Sequence, residues 1–198
     1  MHISLDSALG RQRRLNSVGE SVLQIAPNAA AAYSLRSLTG GDPKVVRVRR
    51  SSDNGEQDFT ASGVSSGALV AFVGSGNDGF VETWYDQSGN SKNAVQETAG
   101  SQPKIVSAGS LLNELLFEGS QLFDTITLSG SAQPNSIFTV SNTNVASQTR
   151  GIYGTNISQA GYYRSSNKHA IFSTGTGSAT LEGAAYVADR DYLRFDLF

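Results

Sequence analysis

The sequence predicts a mostly β protein, a sandwich or jelly roll with one short helix and an N-terminal arm, and three observations lead there. From Lys44 onward, Val46 and Val48 alternate with Arg47 and Arg49, the period-two signature of a strand with one buried face. After Pro103, short apolar runs recur at regular spacing with Gly, Ser and Asn between them. The chain of 198 residues holds 21 glycines and only 16% charged residues, the composition of a turn-rich β protein. That length suits one domain with an appendage.

Residues 1–26 read as an N-terminal arm or anchor. Leu15, Val18, Val22 and Ile25 fall near helical spacing, but Gly10 and Gly19 each weaken a continuous helix by about 1 kcal/mol. The segment is therefore either a broken helix or an extended arm. Arg11, Arg13 and Arg14 make a basic knot, which is a solvated face on the plainest reading. On the sharper one, they join Leu15, Val18 and Val22 as an anchor that orders on an acidic partner surface. The main domain is expected over 27–198. Its helix is placed at Ala29–Leu38, with Asn28 as cap, alanines inside and Gly40-Gly41 as the stop.

The Val46–Arg49 strand breaks at Asp53-Asn54-Gly55, residues that turn the chain cheaply. A later strand puts Phe80, Glu82 and Trp84 on one side and Val81, Thr83 and Tyr85 on the other, and Asp86-Gln87-Ser88-Gly89-Asn90 ends it. Gly74-Ser75-Gly76-Asn77-Asp78-Gly79 reads as a hairpin loop, since it lacks the Lys-Ser/Thr and the following helix of a phosphate loop. Further strands are expected at Leu115–Phe117, Leu122–Leu128, Ser136–Val140, Gly151–Tyr153, Tyr162–Arg164, His169–Phe172, Ala179–Glu182, Tyr186–Ala188 and Tyr192–Phe198. No fixed-period repeat appears in the sequence.

Several of these residues, in this order and spacing, closely resemble the N-terminal part of the α-L-arabinofuranosidase B catalytic domain. They are Ala32-Tyr33-Ser34-Leu35-Arg36, Val46 through Asn54, Glu56-Gln57-Asp58, Gly79-Phe80-Val81, Trp84 through Asn90, and Gln102-Pro103-Lys104-Ile105-Val106. Such modules also stand in bacteriophage structural proteins as concanavalin A-like (laminin G-like) jelly rolls without the enzyme's remaining parts. The resemblance covers roughly residues 32–106. Beyond it, Leu116-Phe117-Glu118-Gly119-Ser120 is similar to a segment of laminin G-like sandwiches. Those modules continue past the final strand, so the resemblance implies a copy that is short at its C-terminus, with an open edge covered by another subunit or by further chain.

Zero cysteines exclude disulfides, thiolate metal sites and cysteine nucleophiles. The arabinofuranosidases use cysteines, including a vicinal pair near the substrate, so the departure is real. With 15 basic against 17 acidic residues there is no general electrostatic reason to bind nucleic acid or an anionic membrane. Residues 1–7 lead into no apolar run of signal-peptide type, and synthesis in a host cytoplasm follows as an expectation.

Asp53, Glu56, Asp58, Glu82 and Asp86 are the carboxylates nearest the motif. The family's catalytic carboxylates lie in a later part of the domain that has no counterpart here, so no catalytic role is transferred. No cofactor is expected; calcium is the one ion that the Asp53–Asp58 run of hard oxygens suggests, without the spacing of a known loop. His2 and His169 have no nucleophile elbow near them in sequence. Trp84, Tyr85, Asp86, Tyr162 and Tyr163 are the candidates for glycan binding, because aromatic faces suit sugar rings, although the plainer reading of a tryptophan in a sandwich strand is a core residue. The resemblance implies a non-catalytic virion structural protein with other virion proteins, copies of itself and host-surface glycans as partners. A carbohydrate-binding module and a degenerate arabinofuranosidase are the alternatives.

Overall fold

The computed structural model describes residues 21–123, 136–141, 150–154, 159–164, 168–175, 177–185 and 192–197. The chain forms two compact units, Met1–Leu128 and Ser129–Phe198. All strand pairing among the described residues is antiparallel.

In the first unit, β1 (Lys44–Arg50) and β2 (Glu56–Thr60) form the hairpin expected around Asp53-Asn54-Gly55, and Asn54 takes φ 59 there. β3 (Gly79–Trp84) pairs with the other side of β1. The far edge of β3 is shared by β4 (Ala94–Val95) and β5 (Lys104–Ser107), and β6 (Ser110–Leu116) pairs with β5. The result is a six-stranded sheet ordered β2-β1-β3-β5-β6 with β4 alongside β3. Ala108 and Gly109, at φ 48 and 80, make the two-residue turn between β5 and β6. Successive positive φ values match the twist of a tight hairpin.

One face of this sheet is covered by two short helices that the sequence reading did not anticipate, α2 (Ala61–Ser65) and α3 (Ala68–Val73). Thr60 caps α2 by accepting the Gly63 N–H, and Gly67 at φ 88 allows the chain to re-enter a helix at once. Leu69 and Val73, one turn apart, join Val64 against Val45, Val46, Val48, Phe59, Val81, Ile105 and Val106. This is the core of the unit, and each such side chain contributes about 1.5–3 kcal/mol by leaving water. Gly74–Gly79 links α3 to β3, so it is a helix-to-strand connection where a hairpin was expected. Gly74 at φ 82 ends α3, and Asn77 Nδ2 donates to Val73 O at 3.1 Å.

The helix expected at Ala29–Leu38 does not form; those residues run extended with bends. Among the described residues the helical turn nearby is α1 (Val22–Ile25), whose capping box includes Ser21 N donating to Gln24 Oε1. Leu23 N donates to Leu38 O at 3.1 Å and ties that turn to the extended segment. Local propensity is overridden by donors and acceptors arriving from residues 86–92.

The second unit contains a four-stranded sheet ordered β11-β10-β9-β8 and a two-stranded sheet of β12 and β7. The strands are β7 (Ser136–Ser141), β8 (Arg150–Gly154), β9 (Gln159–Arg164), β10 (Lys168–Gly175), β11 (Gly177–Ala185) and β12 (Tyr192–Leu197). Each overlaps a strand expected from the sequence. In the first unit, β6 begins before the expected Leu115–Phe117 and stops one residue short of Phe117, while Leu122 and Phe123 lie outside any strand. The expected Tyr186–Ala188 strand and the rest of Leu122–Leu128 lie outside the described residues.

Candidate functional site

Among the described residues, polar contacts are densest past the end of β3, where Asp86-Gln87-Ser88-Gly89-Asn90 meets residues 29–38. Asp86 Oδ1 accepts the N–H groups of Ala32 at 2.9 Å and Ser88 at 2.8 Å. Its Oδ2 accepts the Ser88 hydroxyl at 2.8 Å and Lys92 N–H at 3.0 Å. Burial opposes the charge, but the backbone donors of Ser88, Ala32 and Lys92 outweigh it and hold the carboxyl below its ordinary range. With both oxygens engaged, Asp86 works as a joint between two segments.

Gln87 is buried and uses its whole amide. Its Oε1 accepts Leu38 N–H at 2.7 Å, and its Nε2 donates to Ser34 O at 3.0 Å and Arg36 O at 2.9 Å. Its own N–H donates to Ala32 O at 2.8 Å. Asn90 Nδ2 donates to Ala29 O and Ala30 O, and the Tyr33 hydroxyl donates to Lys92 O. The phenol of Tyr33 is pushed up to about 12 by burial and then by the Asp86 charge. Three nearly consecutive side chains thus replace the hydrogen bonds that a helix would have made for itself.

A register shift between Arg47 and Val48 sets the neighbouring aromatics. Burial along β3 alternates as expected, with Val81 and Thr83 buried, but the shift brings Trp84 opposite Val46. The indole packs against the core, with ring centroids 5.4 Å from Tyr33 and 6.0 Å from Phe123. Phe123 stands edge-on to the exposed Phe117 at 6.1 Å. The Tyr85 hydroxyl donates to Asp58 Oδ1 at 2.7 Å, and burial, reinforced by that bond, pushes the phenol up to about 12.

The carboxylates nearest the motif are all engaged by cations or donors. Asp53 takes both Nε and Nη2 of Arg50 at 2.7 Å, plus Gly55 N–H at 2.8 Å, and these hold it down to about 2. Arg47 is a hub, with Glu56 at 3.0 Å and Asp58 and Glu82 each at 3.9 Å. Lys44 adds a 2.8 Å bridge to Asp58. Burial raises Asp58, and the Lys44 and Tyr85 bonds more than offset this, leaving it below the usual carboxylate range. Within the Asp53–Asp58 run, Asp53 faces Arg50 while Glu56 and Asp58 share Arg47, and among the described residues no group of three or more His, Asp or Glu is placed to hold a metal.

Tyr162 and Tyr163 occupy consecutive positions on β9 of the second unit. Tyr162 is opposite Gly151 and Ala170, and Tyr163 is opposite Arg150 and His169. Trp84, Tyr85 and Asp86 belong to the first unit. Of the expected anchor, Arg11, Arg13, Arg14, Leu15 and Val18 lie outside the described residues; Val22 opens α1 and is 58% exposed. Sequence reasoning missed Gln87, Asn90 and Arg47 as individual actors. Nothing in the sequence marks Gln87, three residues past the end of β3, since its burial and its main-chain partners come from residues 32–38.

No protein-family model, curated protein or solved structure matches the chain.

Proposed function

We propose that the chain is a non-catalytic structural protein of a bacteriophage virion, of the tail- or head-fibre, adaptor or decoration type. On this reading it attaches through its N-terminal arm and presents a concanavalin A-like jelly-roll domain for contacts with copies of itself and other virion proteins, or for glycan recognition. The resemblance of residues 32–106 motivates the viral assignment. The observation that supports a non-catalytic role is that, among the described residues, acids near the motif are spent on internal partners: Asp53 on Arg50, Asp58 on Lys44 and Tyr85, and Asp86 on main-chain donors. A retaining glycosidase needs a pair of carboxyl groups free to face a sugar, and the enzymes that the motif resembles keep theirs in a later part of the domain that has no counterpart here.

For glycan recognition, the engaged state of Trp84 and Tyr85 moves attention to Tyr162 and Tyr163. The ring of Trp84 is packed between Tyr33 and Phe123, and the hydroxyl of Tyr85 is bound to Asp58. The test is co-sedimentation of the chain with intact particles, run beside hydrolysis of a chromogenic arabinofuranoside. Particle association without arabinose release is expected. Arabinose release that disappears when one carboxylate is replaced would overturn the proposal.

A further inference from the structure

Residues 29–38 carry two opposed instructions. Their own sequence, alanines behind Asn28 and a Gly40-Gly41 stop, favours a helix. In the fold they are an extended strap whose main-chain groups are taken up by one loop. Asn90 holds Ala29 O and Ala30 O, Asp86 holds Ala32 N–H, and Gln87 holds Ala32 O, Ser34 O, Arg36 O and Leu38 N–H. The side-chain bonds among these span from 49 to 61 residues of sequence. The strap's shape is thus conferred by its receptor, which reads mostly backbone, and the same bonds are available to a strap from another chain.

The attachment of the strap points the same way. Thr39, Gly40 and Gly41 are exposed, and among the described residues the hydrogen bonds they make are short-range ones to Ser37 and Thr39 side chains. Gly40 sits at φ 80. The next residue, Asp42, is fastened to the body of the unit, where it accepts Ser62 N–H at 2.8 Å and the Ser62 hydroxyl. An exposed three-residue joint therefore lies between two fixed points, and exchange of identical elements between protomers has only this joint to reopen.

We propose that the Asp86–Lys92 loop is a receptor for an extended segment and that a second copy of this chain supplies it, two protomers exchanging residues 29–38, and with them the chain that precedes the strap, about the Thr39–Gly41 hinge. Exchange conserves every bond within each clamp, so protein concentration controls it. The Asn90 side chain reaches Ala30 O at 3.2 Å, and the chain contains no cysteine, which makes a disulfide trap clean.

Ala30→Cys and Asn90→Cys variants, unfolded together, refolded at high concentration and oxidised, are expected to give a disulfide-linked heterodimer at twice the chain mass on a non-reducing gel. The double variant at low concentration closes within one chain and shows that the pair is in reach. A mixed sample that stays at single-chain mass while the double variant closes overturns the proposal. Should the double variant fail to close, deletion of Gly40 and Gly41 decides. A shorter hinge is expected to raise the dimer fraction at least tenfold by light scattering, and a deletion variant that remains monomeric overturns it. Neither result bears on the non-catalytic reading, which the arabinofuranoside assay tests.

Discussion

Gln87 Oε1 accepts the N–H of Leu38 across 2.7 Å, and the other end of the same amide reaches Ser34 O and Arg36 O. One buried side chain therefore satisfies three main-chain groups of a segment that has no ladder of its own. Replacing it with Leu leaves those groups desolvated and unpaired. The expected loss is about 2–4 kcal/mol of unfolding free energy, read from urea denaturation, together with faster amide exchange at Leu38.

Gln87→Glu is expected to do something the parent cannot. One carboxylate oxygen keeps the Leu38 donor, while the other faces the carbonyls of Ser34 and Arg36 and is repelled. Its folded pKa rises above the unfolded value of about 4.3. Relative to the parent, the variant thus loses least below that pH and weakens as pH rises through the folded pKa. A urea midpoint for this variant that is flat between pH 4 and 7 would contradict the placement of Nε2 between those carbonyls.

The parent responds with the opposite sign. Asp53 is held down to about 2, first by its Arg50 hydrogen bond and then by Gly55 N–H, and Asp42, Asp58, Asp78 and Asp86 are also shifted down. Their unfolded values lie near 3.9, so the folded state binds fewer protons in this window. Stability is present above about pH 4 and is lost as pH falls toward about 2. Urea midpoints measured across that range should drop, and Asp53→Asn should shrink the drop.

Two glycines separate packing from backbone freedom. A Cβ on Gly79 would lie 2.9 Å from Val73 Cγ2, 3.1 Å from Val106 Cβ and 3.2 Å from Val48 Cγ1, in the centre of the core. Gly79→Ala is expected to cost about 1–3 kcal/mol. A Cβ on Gly100 meets nothing within 4 Å. Gly100→Ala should hold or raise the midpoint, by up to about 1 kcal/mol through the unfolded state, as a paired thermal melt of the two variants will show.

The raised phenol of Tyr85 gives a spectroscopic handle on the charged face of the sheet. Burial is its first cause and the Asp58 bond its second. Asp58→Asn is expected to lower that titration from about 12 part of the way toward 10, with burial keeping it above the free value. Phenolate absorbance, with Tyr85→Phe to identify the band, measures it.

The strands were legible because alternation is a local signal. Val46 and Val48 against Arg47 and Arg49 were enough to place β1, and Asp53-Asn54-Gly55 was enough to place its turn. α2 and α3 were not, because Gly63 and Gly67 interrupt a segment whose apolar residues Val64, Leu69 and Val73 meet the core only after the chain has re-entered a helix at Gly67. That Trp84 packs against the core is the plain expectation for a strand tryptophan; its partner was not legible, because a register shift between Arg47 and Val48 changes which residue opposes Val46, and no residue type at those positions announces it. The strap was misread because propensity weighs near neighbours. The groups that decide its conformation sit on Asp86, Gln87 and Asn90.

That separation has a consequence for the order of events during synthesis. Leu38 leaves the ribosome 49 residues ahead of the amide that captures it, a delay of roughly 2–10 s at ordinary elongation rates of about 5–20 residues per second. Throughout that interval the nascent stretch lacks the partners that fix its shape, and at this length an isolated helix is marginal in water. Its main-chain groups stay with solvent until Gln87 emerges to take them.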